Sequence, residues 1–230
     1  FGAPDQDGEK EMARVMGAAA AAAGRGGGGG GGRGGGFGGG GRGGGFGGKT
    51  TVYLEPLAVV LAQKAGRPVK MVMDRGDVFR ATGGAPGAET RVKLGATREG
   101  KLVAADVDCL MDSGAYNGGP AAFPVYMATA CYKLSDARST GRSVYTNKPK
   151  IHAYRAPSMP QVTLGFELAI TELAAELGID PIEFRLMNAV EEGDVNMMGA
   201  PYNRIGLREC LEVARNHEHY KSVVAAELGK

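Results

Sequence analysis

The stretch Val92-Lys-Leu-Gly-Ala-Thr-Arg-Glu-Gly-Lys-Leu-Val-Ala-Ala-Asp-Val-Asp-Cys-Leu-Met111 decides the fold class. Val92, Leu94 and Ala96 alternate with polar or small residues, and Val103, Ala105, Val107, Cys109 and Met111 alternate again after Glu99-Gly100. Side chains of a strand alternate between faces, so this pattern predicts a hairpin with one apolar face. Asp106, Asp108 and Asp112 then fall on the opposite face.

Helical periodicity flanks the hairpin on both sides. Leu54, Leu57, Ala58, Leu61 and Ala65 predict a helix beginning near Val52, ended by Gly66-Arg67-Pro68. Val69–Met73 reads as a short buried strand. Ser113–Ser139 reads as loop, followed by a strand around Val144 that Pro149 breaks. Phe166, Ile170, Leu173 and Leu177 mark an amphipathic helix starting near Leu164 and ending at Gly178. Asp180, Pro181 and Glu183 form an N-cap, N1 and N3 set for a short helix, and Leu207, Cys210, Leu211 and Ala214 mark a last one. Strands and helices mix without regular alternation, which makes the expected class α+β.

Composition narrows the function classes. A chain of 230 residues with a net charge of +2 lacks the basic excess that would argue for nucleic acid or an anionic membrane. No apolar run approaches the roughly 20 residues of a membrane span. The N-terminus has no signal-peptide pattern, and Phe1 in place of an initiator Met suggests a processed chain or a fragment. Cys109, Cys131 and Cys210 are isolated, so no Cys-rich cluster is expected; each reads as a small buried hydrophobe in a reducing compartment.

Half of the 40 glycines fall within residues 24–48, where RGGGFGG occurs at Arg33–Gly39 and again at Arg42–Gly48. Residues 1–42 are expected to be a flexible Ala/Gly-rich segment, and 43–230 a folded domain. The tract ends in Gly43-Gly-Gly-Phe-Gly-Gly-Lys-Thr50 just before the first helix. Read physically, it is either a glycine-rich anion or cofactor loop or a linker, because glycines admit close backbone approach and helix N-termini offer unpaired amides. It is not a Walker A loop, since no strand precedes it. A second segment, Val144-Tyr-Thr-Asn-Lys-Pro149 running into Ala153-Tyr-Arg-Ala-Pro-Ser-Met-Pro-Gln161, is an irregular proline-rich loop. Arg155 offers a fixed fork of donors and Gln161 both a donor and an acceptor.

Taken together, the two segments resemble the molybdopterin-binding large subunit of molybdenum hydroxylases, the family of xanthine dehydrogenase and aldehyde oxidoreductase. GRPVKMVMDR at Gly66–Arg75, MDSGAY at Met111–Tyr116, ELAAELGIDPIEFRLMN at Glu172–Asn188 and IGLREC at Ile205–Cys210 carry the resemblance further. It implies that the fold is part of that family's molybdopterin-binding domain, and that the chain is an internal piece of a longer subunit. It also implies cofactor contacts at Gly44, Gly45, Phe46, Gly47 and Gly48 on one side and at Arg155, Ala156 and Gln161 on the other.

Further implications concern the whole enzyme. The metal is held by the pterin dithiolene, so no protein metal ligand is expected. The cofactor is molybdopterin, including its cytosine dinucleotide form, with iron–sulfur clusters and FAD on partner chains. A dimer of large subunits and a cytoplasmic location are also implied. The reaction is hydroxylation of an electron-poor carbon in an aldehyde, purine or N-heterocycle, with oxygen from water.

The chain departs from the family pattern in places. The family's catalytic Glu has no counterpart after Asn188, so no catalytic residue is identified and the chain alone is expected to be inactive. Ser158-Met159 replaces the Gly-Ala of the related YRAPGAP loop. Ala156 stands where carbon monoxide dehydrogenases carry Cys, which disfavours a copper–molybdenum centre. Two other readings remain at this level: an RGG-like nucleic-acid-binding arm, and a folded remnant, natural or artificial, without function.

Overall fold

The computed structural model describes residues 52–116, 122–152, 155–196 and 199–227. The chain divides into two units, Phe1–Gly84 with His152–Arg155, and Ala85–Ile151 with Ala156–Lys230. The boundary expected near residue 42 lies outside the described residues.

In the first unit, α1 spans Glu55–Ala65 and ends on Gly66, whose φ of 63° takes the left-handed turn that glycine tolerates without strain. Its start, three residues later than expected, has Pro56 in the first turn, where a missing N–H costs nothing. Leu57 and Leu61, expected to face a core, are exposed. Val69–Met73 is not a strand. Alternate residues are half-buried, as in an extended chain, but no ladder partner occurs among the described residues. Helix α2, Arg75–Ala81, was not anticipated; a reciprocal capping box between Asp74 and Asp77 starts it.

The second unit contains the hairpin. Strands β1, Ala88–Ala96, and β2, Leu102–Asp112, pair antiparallel, with Val92 opposite Val107 and Thr90 opposite Cys109. The turn closes with Gly100 N–H donating to the Thr97 carbonyl, and Gly100 takes a φ of 90°. Strand β3, Asp136–Val144, lies parallel to β2 on its other side, giving a three-stranded mixed sheet of order β1-β2-β3. A parallel pair needs a crossover. Here the crossover carries helix α3, Ala122–Ala128, which replaces part of the loop expected over 113–139. Pro124 obscured that helix in the sequence, yet it falls in the first turn, where proline is tolerated. Strand β3 begins eight residues before Val144 because it is a polar edge strand whose sequence carries no apolar alternation.

Helix α4, Met159–Glu176, packs along β1, with Gly165 so close to Thr90 that an added Cβ would sit 3.1 Å from the Thr90 Cβ. It starts five residues before Leu164 because Pro160 occupies its first turn. Val162, Phe166, Ile170 and Ala174 recur every four residues and are fully buried against Val107, Cys109 and Met111 in one core. Each of the larger side chains contributes about 1.5–3 kcal/mol by leaving water. Helix α5, Pro181–Asn188, begins as expected, with the Asp180 carboxylate accepting from the Ile182 and Glu183 N–H groups. Helices α6, Leu207–Asn216, and α7, Glu218–Glu227, follow. Tyr132, Glu167 and Arg185 tie the residues after α3 to α4 and α5: the Tyr132 hydroxyl donates to Glu167 at 2.8 Å and Arg185 pairs with it at 2.7 Å.

The mixed arrangement is α+β, as expected. The expectation that all three cysteines are buried needs correction, while that for the aspartates holds with one addition. Cys109 is buried, and burial pushes its thiol pKa up, but Cys131 and Cys210 are exposed. Asp106 and Asp108 face away from the core and pair with Arg138 and Arg142 of β3. Asp112 shares their face yet is only 8% exposed, because residues 144–149 cover that end of the sheet.

Candidate functional site

The proline-rich loop runs from the end of β3 into α4. Its base is fixed by the residues just after β2. Ser113 donates its N–H and its hydroxyl to the Val144 carbonyl, both at 2.9 Å. Thr146 N–H donates to the Gly114 carbonyl and Ala115 N–H to the Lys148 carbonyl, each at 3.0 Å. Asp112 takes three donors: Gly114 N–H at 2.8 Å, the Thr146 hydroxyl at 2.6 Å and the Lys148 ammonium at 2.6 Å. The Lys148 ammonium, with Thr146 and the Gly114 N–H, holds the Asp112 carboxyl down at about 2. MDSGAY and VYTNKP, distant in sequence, are therefore one hydrogen-bonded unit.

A pH dependence follows from this cluster. The folded carboxyl titrates near 2, below its ordinary 3.8, so its stabilisation is complete above about pH 4 and is lost as pH falls from there toward 2. Asp112→Asn is expected to flatten the fall of stability over that window in urea unfolding followed by circular dichroism. An unchanged slope would mean that Asp112 plays no part in acid unfolding.

The loop itself is strained at two positions. Ala156 has φ 56° and Ser158 φ 61°, and neither is glycine. The left-handed region costs an ordinary L residue about 1–2 kcal/mol. The glycine that the family resemblance places at 158 is the residue this conformation favours. Ser158 is 3% exposed, makes no side-chain cap bond to α4, and its buried Oγ has no partner among the described residues. Ser158→Gly should therefore raise the stability of the cofactor-free protein by about 1 kcal/mol, after the entropy cost of glycine is subtracted. A thermal melt that shows no gain, or a loss, contradicts this reading of the strain.

Gln161 lies in the first turn of α4, with its Nε2 donating to the buried Pro86 carbonyl at 3.4 Å and its buried Oε1 left without a partner among the described residues. Ala156 is exposed. Arg155, also exposed, belongs to the first unit and Ala156, Ser158 and Gln161 to the second. Gly44, Gly45, Phe46, Gly47 and Gly48 lie outside the described residues. An orphaned acceptor and an orphaned hydroxyl at one helix start fit a ligand rich in N–H donors and acceptor oxygens, as a pterin with its phosphate is. Among the described residues no three His, Cys, Asp or Glu side chains gather as a metal-holding group.

A family model described as the molybdopterin cofactor-binding domain matches residues 41–189. The chain belongs to this family. That span includes both sequence segments singled out above, and MDSGAY besides. The chain is 37% identical over 178 residues to the xanthine dehydrogenase molybdenum-binding subunit of Escherichia coli O157:H7, covering 73% of this chain and 23% of that protein. It is 36% identical over 162 residues to the nicotinate dehydrogenase large molybdopterin subunit of Eubacterium barkeri, covering 68% and 38%. Among solved structures, the aldehyde oxidoreductase of Desulfovibrio gigas superposes with a TM-score of 0.65 at 31% identity, over 74% of this chain and 19% of that one. The chain thus spans between about a fifth and two-fifths of the length of these relatives. No helix among the described residues is long and apolar enough to cross a membrane.

Sequence reasoning put Asp112 on the right face of the hairpin, opposite the apolar side chains, but missed the cluster that covers it. The signal that could have found it was the joint occurrence of MDSGAY and VYTNKP, two short motifs neither of which has an obvious reason to persist alone.

Proposed function

We propose that this molybdopterin-binding domain serves a molybdenum hydroxylase that hydroxylates an electron-poor carbon, in an aldehyde, purine or N-heterocycle, with oxygen from water. The observation that carries the reading is the orphaned pair Ser158 Oγ and Gln161 Oε1, within a span matched by the cofactor-binding family. When bound, the molybdenum cofactor supplies the two-electron oxidation of the substrate carbon. This chain's residues bind and orient it. Gln161 Oε1 would be available to accept from a donor of the cofactor and Ser158 Oγ to donate to one of its oxygens, while the Arg155 fork would suit an oxyanion. By the resemblance, Gly44, Gly45, Gly47 and Gly48 would admit close approach of the cofactor beside Phe46, and Ala156 would add no bulk at its contact. By the resemblance, the metal would be held by the pterin dithiolene without a protein ligand.

The same reading gives the chain a low-complexity segment over 1–42 and a partial domain over 43–230. It expects iron–sulfur and FAD chains as electron acceptors, a cytoplasmic setting and a dimer of large subunits, and the cytosine dinucleotide form of the pterin. It rests on the names of the relatives, which include molybdenum-binding and molybdopterin subunits. The RGG-like and remnant readings depend on residues 1–48, outside the described residues.

Dye reduction tests the division of labour. Molybdenum-loaded chain alone should not reduce dye with aldehydes, hypoxanthine or nicotinate, because no general base equivalent to the family Glu is identified. Turnover by this chain without further segments would overturn that part of the proposal.

A further inference from the structure

Resting on that reading, we infer that Asp112 and Gly114 are positioning residues for the cofactor segment, fixing where Ala156, Ser158 and Gln161 stand. Both ends of the segment Pro149–Gln161 are tied to the same place at the end of β2. At the incoming end, Asp112 holds Thr146 and Lys148 through their side chains, and the Gly114 and Ala115 backbone holds Thr146 and Lys148 through theirs. At the outgoing end, Asp112 N–H donates to the Gly87 carbonyl at 3.0 Å, and the neighbouring Pro86 carbonyl receives Gln161 Nε2. Asp112 thus lies one peptide from the group that orients the orphaned Gln161 Oε1.

The charge in this node is placed to hold and not to react. Asp112 is buried and its carboxylate takes three donors, two at Oδ1 and the Lys148 ammonium at Oδ2, so its charge is engaged in holding the segment. Gly114 permits the closeness: its φ is 68°, and a Cβ there would lie 2.2 Å from the Pro149 carbonyl oxygen. Pro149 is the residue at which the loop departs. Two strained residues further along, Ala156 and Ser158, persist only where their surroundings over-determine them. Anchoring at both ends supplies that constraint. In metal sites, groups that orient the ligating side chains change affinity or activity by roughly ten- to a hundred-fold when removed, and an effect of the same order is expected of these supports.

The test compares molybdenum-loaded protein carrying Asp112→Asn or Thr146→Val with wild type and with Glu167→Ala. Thr146→Val removes only a hydroxyl and keeps the β-branched shape, so it folds even if the Asp112 variant does not. Glu167→Ala breaks the Tyr132–Glu167–Arg185 set, away from the loop. Three quantities are read: pterin retained after dialysis, measured by fluorescence of its oxidation product; the electron paramagnetic resonance spectrum of the reduced molybdenum; and the unfolding midpoint. Asp112→Asn should lose pterin roughly ten-fold faster or more and shift the resonance spectrum, with Thr146→Val intermediate. Glu167→Ala should lower the midpoint while leaving retention and spectrum as in wild type. Wild-type retention and spectrum in both loop variants overturn the inference, as does equal pterin loss in Glu167→Ala. Wild-type protein that holds no pterin overturns the proposed function along with it.

Discussion

Gly114→Ala is expected to cost about 3–4 kcal/mol of stability, lowering the unfolding midpoint by roughly 6–16 °C for a domain of this size. Two effects add. The φ of 68° disfavours any residue with a Cβ, at about 1–2 kcal/mol. The stronger effect is steric: the new Cβ meets the Pro149 carbonyl oxygen at 2.2 Å and its carbon at 2.9 Å. Both are backbone, so no side-chain rotation relieves the contact. Residues 144–149 must move, and with them the bonds Ser113 to Val144, Thr146 to Gly114 and Ala115 to Lys148. Urea unfolding of Gly114→Ala alongside Gly178→Ala separates the steric from the conformational cost. Gly178 has φ 69° but nothing within 4 Å of an added Cβ, so it should show the conformational cost alone. Equal losses in the two variants would mean that the clamp is pliable.

Asn188→Ala is expected to cost about 3 kcal/mol, chiefly by orphaning buried backbone groups. Asn188 is 2% exposed and joins two places far apart in sequence, the Gly100–Leu102 turn and the Phe184 carbonyl one helical turn before it. Its Oδ1 accepts from Leu102 N–H at 2.8 Å, and its Nδ2 donates to the Gly100 carbonyl at 2.9 Å and to the Phe184 carbonyl at 2.8 Å. These bonds pin the β1–β2 turn to the end of α5. Truncation strands a buried N–H at Leu102, itself 1% exposed, and leaves a small void; an orphaned buried group costs about 1–3 kcal/mol. Asn188→Asp should be at least as damaging at pH 7. It keeps the acceptor for Leu102 but points a second carboxylate oxygen at two carbonyls and buries a charge. Burial raises such a carboxyl's folded pKa above its unfolded value, so the aspartate variant should regain stability as pH falls and it protonates. The alanine variant should not. Chemical denaturation of both at pH 7 and pH 5 checks this, and a pH-independent aspartate variant would contradict it.

What the sequence revealed follows from where information is local. The hairpin was legible because Val107, Cys109 and Met111 alternate and Gly100 turns the chain. Helix α5 was legible because Asp180, Pro181 and Glu183 each satisfy a separate requirement of a helix start. Strand β3 was legible only at its Val144 end, since the rest is ordered by the ladder with β2 and by Asp106 and Asp108 across the sheet, not by a pattern in its own residues. Val69–Met73 failed in the opposite way: the residues favour a strand, but a strand exists only with a neighbour's ladder. Helix α3 and the early start of α4 were hidden by Pro124 and Pro160, read as breakers where they occupy first turns.

The candidate site divides along the same line. Gln161 and Ala156 were named from sequence by resemblance alone; the acceptor at Gln161 with no partner among the described residues and the left-handed backbone at Ala156 carry no sequence signal. Asp112 was placed on the correct face, but its burial was missed because strand alternation carries no knowledge of what covers the far face. A long-range contact of this kind is invisible to periodicity. It is visible only as two short motifs that occur together.

The most direct test of the central claim is the molybdenum and pterin content of the purified protein, produced in cells able to make the cofactor. About one molybdenum and one pterin per chain is the expected result, with both reduced when Gln161 is replaced by Leu. Folded protein, verified by its near-ultraviolet circular dichroism, that carries neither metal nor pterin would contradict the claim.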